Sequence, residues 1–219
     1  MKNKIYILSF LLFFCQPLVA EDLNIQASKI QIDKKTKSTI FENNVSATDT
    51  NNNIFKTNYA EYFKDLKLLK SKGETTLLTA EGYFVSGTNM IFDNINNTIK
   101  SKYPATIKDL DNNKIYLEQF EYSTKNNLFK SVGKIQFKDS NNNSYNFAQI
   151  YIDEKKREVI GSDIKAFLNQ KSFKFNEKNK PRVFANTVKI EDKETEFTKS
   201  VFTLCDYREG DKCPPWSLQ

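Results

Sequence analysis

The sequence has no histidine, and only three cysteines and six glycines in 219 residues. Without histidine, the commonest general base near neutral pH and the commonest zinc ligand are both missing, which excludes an imidazole-based triad and a histidine-bearing zinc site. The glycines are scattered singly, so neither common phosphate-cradling loop is present. Asp and Glu are plentiful enough for paired-carboxylate chemistry, but none stands at a position that the sequence pattern makes special, and no enzyme, cofactor or metal is expected. Proline is equally scarce at five residues, and no Pro/Gly/Ser-rich linker divides the chain, which predicts one domain.

Long hydrophobic runs are also missing, apart from Ile5 to Phe14. That run is too short for a comfortable membrane span. With Lys2 and Lys4 before it and Leu18-Val19-Ala20 after it, residues 1–20 read as a secretory signal peptide, and the mature chain is expected to begin at Glu21. A retained anchor and lipid attachment at Cys15 are the lesser readings; Leu12-Phe13-Phe14 lacks the small residues that lipidation needs. Losing two lysines with the leader leaves 31 basic against 27 acidic residues, a net charge of +4. The charges are dispersed and make no basic stripe, so nucleic acid is not an expected partner. Export also places Cys205 and Cys213 in an oxidising compartment, where a disulfide is expected. Spacing leaves open whether they pair with each other, pair elsewhere or stay free.

What the chain does have is a repeat. Pairs of apolar residues two apart recur every 30 residues: Ile30/Ile32, Ala60/Tyr62, Met90/Phe92, Phe120/Tyr122, Ile150/Ile152 and, after an eight-residue insertion, Val188/Ile190. Seven residues beyond each second anchor stand Thr39, Leu69, Ile99, Phe129, Val159 and Phe197. Further on come Val45/Ala47, Thr75/Leu77, Ala105/Ile107, Ile135/Phe137 and, one position out of phase, Ile164/Ala166. Spacing by two places side chains on one face of a strand, whereas a helical face needs three and four. Asn/Asp clusters such as Asp49 to Asn53, Asp93 to Asn97, Asp109 to Asn113 and Asp139 to Asn143 mark the turns, because these residues tolerate left-handed backbone and bond their own chain. Each unit is therefore two strands. About a dozen antiparallel strands in an all-β stack follow, with 18 Phe and ten Tyr supplying an apolar interior.

With these residues in view the chain resembles the OstA family of lipopolysaccharide-assembly proteins. The resemblance rests on the exported start, the tandem two-strand repeats, Phe41-Glu42-Asn43-Asn44-Val45, Thr57-Asn58-Tyr59-Ala60-Glu61-Tyr62, and the ending from Phe202-Thr203-Leu204-Cys205 to Cys213-Pro214-Pro215-Trp216. The ending points to the N-terminal periplasmic part of the LptD branch, and the repeat is shared with LptA and LptC. The resemblance implies an open, V-shaped β-jellyroll over residues 21–205 and a cysteine-containing connector over 206–219, leading toward an outer-membrane barrel that this sequence does not contain. It implies lipopolysaccharide as ligand, an LptA-like bridge protein joined by edge-strand addition, an LptE-like plug lipoprotein acting with the barrel, and a place on the periplasmic side of the outer membrane. The expected groove lining is Ile32, Tyr62, Phe92, Tyr122, Ile152, Ile107, Phe129 and Phe137. Rival readings are a free-standing LptA-like bridge, a polysaccharide-acting β-helix enzyme, and a structural protein with a closed core.

Overall fold

The computed structural model describes residues 23–173, 181–191 and 194–204. The expected signal peptide and connector, with Cys205 and Cys213, lie outside these residues. Seventeen strands occur within them: β1 (Leu23–Gln26), β2 (Lys29–Asp33), β3 (Ser38–Asp49), β4 (Ile54–Phe63), β5 (Leu68–Ser71), β6 (Glu74–Leu78), β7 (Phe84–Thr88), β8 (Ile91–Asp93), β9 (Thr98–Ser101), β10 (Ala105–Lys108), β11 (Lys114–Leu117), β12 (Phe120–Ser123), β13 (Leu128–Lys138), β14 (Ser144–Asp153), β15 (Glu158–Phe167), β16 (Arg182–Ile190) and β17 (Thr195–Thr203). All pairings are antiparallel, and one hydrogen-bonded sheet contains every strand. The chain makes the expected dozen passes. Five of them, β1/β2, β5/β6, β7/β8, β9/β10 and β11/β12, are cut in the middle, which raises the count to seventeen.

The cuts arise because the sheet is folded on itself. β1, β6, β7, β10 and β11 form one layer, and β2, β5, β8, β9 and β12 form a second. Long strands run through both: β4 pairs with β6 through Ile54 to Thr57 and with β5 through Ala60 to Phe63. Likewise β13 pairs with β12 through its first half and β11 through its second. Every 30-residue unit therefore lays one hairpin in each layer. Where the chain crosses between layers it forms a spine, and Asn43, Asn44, Gly73, Gly133 and Asp163 take positive φ there. Register shifts between Glu42 and Val45 and between Val132 and Ile135 mark the same line. Such bulges bend a strand and so turn the sheet through the corner. The phase slip at Ile164/Ala166 has its origin here, since β15 crosses the spine with one residue fewer than β3 or β13.

At the edge opposite the spine, turns close the hairpins on a 30-residue period. Second-layer turns end on Lys37, Lys67, Asn97, Asn127 and Arg157, all left-handed; first-layer turns carry Asn52, Gly82, Asn112 and Asn142 at the equivalent place. Each first-layer turn is held by its leading residue. The Asp49, Asp109 and Asp139 carboxylates accept the backbone N–H and side-chain amide of Asn53, Asn113 and Asn143, and the Thr79 hydroxyl accepts the Tyr83 N–H. Three of the asparagines then stitch one turn to the next, because Asn53, Asn113 and Asn143 accept the N–H of Ala80, Ser140 and Asn169.

Candidate functional site

The interior between the layers is the candidate site. The antiparallel register sets the repeat anchors into two continuous rows. Across the second layer the paired residues run Ile32, Thr39, Tyr62, Leu69, Phe92, Ile99, Tyr122, Phe129, Ile152, Val159 and Ile190. Across the first they run Ala47, Phe55, Leu77, Val85, Ile107, Ile115, Phe137, Tyr145, Ala166, Val183 and Phe202. Six of the eight residues expected in the lining fall in the second row and Ile107 and Phe137 in the first, so all eight lie on the inward-facing register, although Ile32 stands outside the buried core.

Their exposure differs along the stack. Ile32 is 77% exposed and Tyr62 half-buried, whereas Phe92, Ile107, Tyr122, Phe129, Phe137 and Ile152 are buried at 1% or less. In the middle the layers fill each other's space. Tyr122 stacks on Phe129 at 4.2 Å, and Tyr83 of the first layer packs 6.5 Å from the same ring. Toward the C-terminal end the layers part around a cavity of about 740 Å³ whose apolar lining includes Tyr83, Phe137, Tyr145, Val159, Leu168 and Phe197. Asp109, Asp111, Asp139, Glu191 and Glu194 lie on its polar side together with Arg157.

Sequence reasoning missed one polar cluster inside this apolar interior. Glu154, the first turn residue after β14, is 2% exposed. It accepts the Thr79 hydroxyl at 2.7 Å and the Tyr122 hydroxyl at 2.7 Å. Burial pushes its carboxyl up to about 7, and the neighbouring carboxylates of Glu81 and Asp153 act in the same direction, against the two hydroxyl donors. Burial also raises Asp109. The equivalent turn positions hold Lys34, Lys64, Asn94 and Thr124, so a carboxylate out of keeping with its repeat partners was the signal available in the sequence. Among the described residues, no group of three or more His, Cys, Asp or Glu is placed to hold a metal ion.

No family model matches the chain, and no curated protein matches it. Among solved structures it is similar to LptH, the LptA-homologous periplasmic component of the lipopolysaccharide transport device from Pseudomonas aeruginosa. Identity is 15%, the match covers 64% of this chain and 81% of that one, and the TM-score is 0.27. A TM-score of that size does not establish a shared fold. The all-β, antiparallel, two-layered architecture stands on the strand pairing of this chain.

Proposed function

We propose that this chain is a periplasmic lipid-conducting protein that holds the acyl chains of lipopolysaccharide between its two layers and passes them along a bridge of similar domains. No bond is made or broken. The observation that carries the reading is the pair of apolar rows running the length of the stack and, among the described residues, unsealed at both ends, at Ile32 on one side and at the cavity beside Phe197 on the other. A solenoid end with its core exposed is a surface awaiting another unit, since terminal repeats otherwise need polar caps. Among the described residues, β1 and β2 pair only with β3, and β17 only with β16. Their outer edges therefore offer main-chain donors and acceptors for strand addition by an LptA-like neighbour. Shielding is favoured because each buried methylene gains about 0.8 kcal/mol, and a multi-chain lipid exposes many. The carboxylates beside the cavity repel phosphate, so acyl chains enter and the head group stays outside.

The bridge role is the reading supported best. The segment from Cys205 to Trp216 favours a second, finer one, in which the jellyroll is the entry domain of an LptD-like translocon working with an LptE-like plug. Benzophenone probes test the common part. Placed at Ile32, Phe92 and Phe197, they are expected to capture lipopolysaccharide in cells. A probe at Tyr116, which alternates to the outer surface between buried Ile115 and Leu117, is expected to stay unlabelled. Equal capture at Tyr116 would overturn the interior as the lipid path.

A further inference from the structure

The lipid reading leaves a physical difficulty. Acyl chains must pass Phe92, Tyr122 and Phe129, and these are sealed. The spine is covalent, so any opening has to occur along the opposite edge, where the turns of the two layers meet. There the Asn51 amide donates to the Thr124 carbonyl at 3.2 Å, the Thr79 hydroxyl to Glu154 at 2.7 Å, and the Asn127 amide to Glu81 at 2.8 Å; Arg157 pairs with Asp111. These partners are 46 to 75 residues apart, so first-layer turns 49–53, 79–83 and 109–113 meet second-layer turns 124–127 and 154–157. The layers are thus skewed, and the seam covers the middle of the stack, directly over Tyr122, whose hydroxyl donates to Glu154 from below.

The chemistry of the seam is unlike that of the interior it covers. Each contact is a hydrogen bond or an ion pair that water can replace on opening, so the net cost of parting one is small. The spine facing it is built from bulges and left-handed residues that can absorb a change of angle between the layers. We propose that the seam is a polar latch and the spine its hinge: the layers part along the turns 49–53, 79–83 and 109–113 to admit an acyl chain and close again behind it. This rests on the lipid-conducting reading but concerns only how the middle of the interior is reached.

The test ties the latch shut. In the full mature chain carrying Cys205→Ser and Cys213→Ser, Glu81→Cys and Asn127→Cys are bridged by a short bismaleimide. A reporter tryptophan, Phe92→Trp in a Trp216→Phe background, is quenched by a dibrominated 18-carbon fatty acid. The unbridged protein is expected to be quenched, and the bridged one at least tenfold more slowly. A control bridge within one layer, between Glu61→Cys and Lys70→Cys on paired strands, is expected to leave quenching unchanged. Equal quenching with and without the seam bridge, or no quenching in either, would overturn the latch. Latch-dependent quenching by the fatty acid without capture of lipopolysaccharide at Phe92 would leave the latch standing and remove lipopolysaccharide as the cargo.

Discussion

The middle of the stack and its N-terminal end carry the same sequence pattern and meet opposite fates. Ile32 and Tyr122 occupy the same place in the repeat, three units apart, yet the first is 77% exposed and the second 0%. The second-layer strand that carries Tyr122 is flanked on both sides and roofed by the other layer. β2, with Ile32, is an edge. Burial in a solenoid is therefore a property of neighbours, and the repeat alone marks which residues face inward without deciding which are covered.

The largest way to break this comparison is to truncate one anchor from each region. Phe129→Ala removes a ring that packs against Tyr122, Phe120 and Tyr83 in a filled interior, and is expected to cost about 3–5 kcal/mol in urea unfolding. Ile32→Ala, at the uncovered end, is expected to stay within about 0.5 kcal/mol of the parent. A large loss at Ile32 in the isolated protein would show that the N-terminal end is capped.

Acidity separates the regions next. Glu154 has its folded pKa raised to about 7 from an unfolded value of 4.5. The folded state therefore binds more protons than the unfolded state between these values, and stability falls as pH rises. The effect is complete below pH 4.5, is lost as pH passes 7, and amounts to about 3 kcal/mol. Charged neighbours around the cluster are Glu81 and Asp49 from the first layer, and Asp153 and Arg157 from the turn that carries Glu154. Glu154→Gln removes the titration and keeps one acceptor oxygen for two hydroxyls that in the parent donate to different carboxylate oxygens, so the variant is compared by its slope with pH and not by its absolute stability. Urea midpoints across pH 4.5 to 8 should therefore fall for the parent and flatten for the variant. An unchanged slope in Glu154→Gln would place the titration elsewhere.

Strand identity, facing and even the slip at Ile164 were legible in the sequence, because a period of two and a spacing of 30 are local properties that the register then reproduces row by row. The Asp and Asn turns were legible for the same reason. Turns ending in Lys37, Lys67 or Arg157 were less so, since lysine and arginine carry no turn signal of their own. The folding of each pass across a spine was not legible, nor was the skew that brings residue 79 against residue 154, because both depend on accumulated twist over several units. Glu154 was overlooked on that account: its burial is created by a turn 75 residues away.

The smallest effect distinguishes two asparagines of identical local role. Asn53 and Asn113 both donate to the leading Asp of their turn and accept an N–H from the next turn. Asn53 is 1% exposed beneath the seam, while Asn113 is half-buried beside the C-terminal cavity. In Asn113→Ala, water reaches the Asp109 carboxylate and the Ser140 N–H, and the expected loss is about 1 kcal/mol. In Asn53→Ala, Asp49 Oδ2 and the Ala80 N–H each lose the Asn53 side chain as partner where water is largely excluded, and the expected loss is about 2 kcal/mol. Thermal or urea unfolding of the two single variants measures the difference. Equal losses would mean that water already reaches Asn53, so the seam would be open in solution and the latch no barrier to the interior.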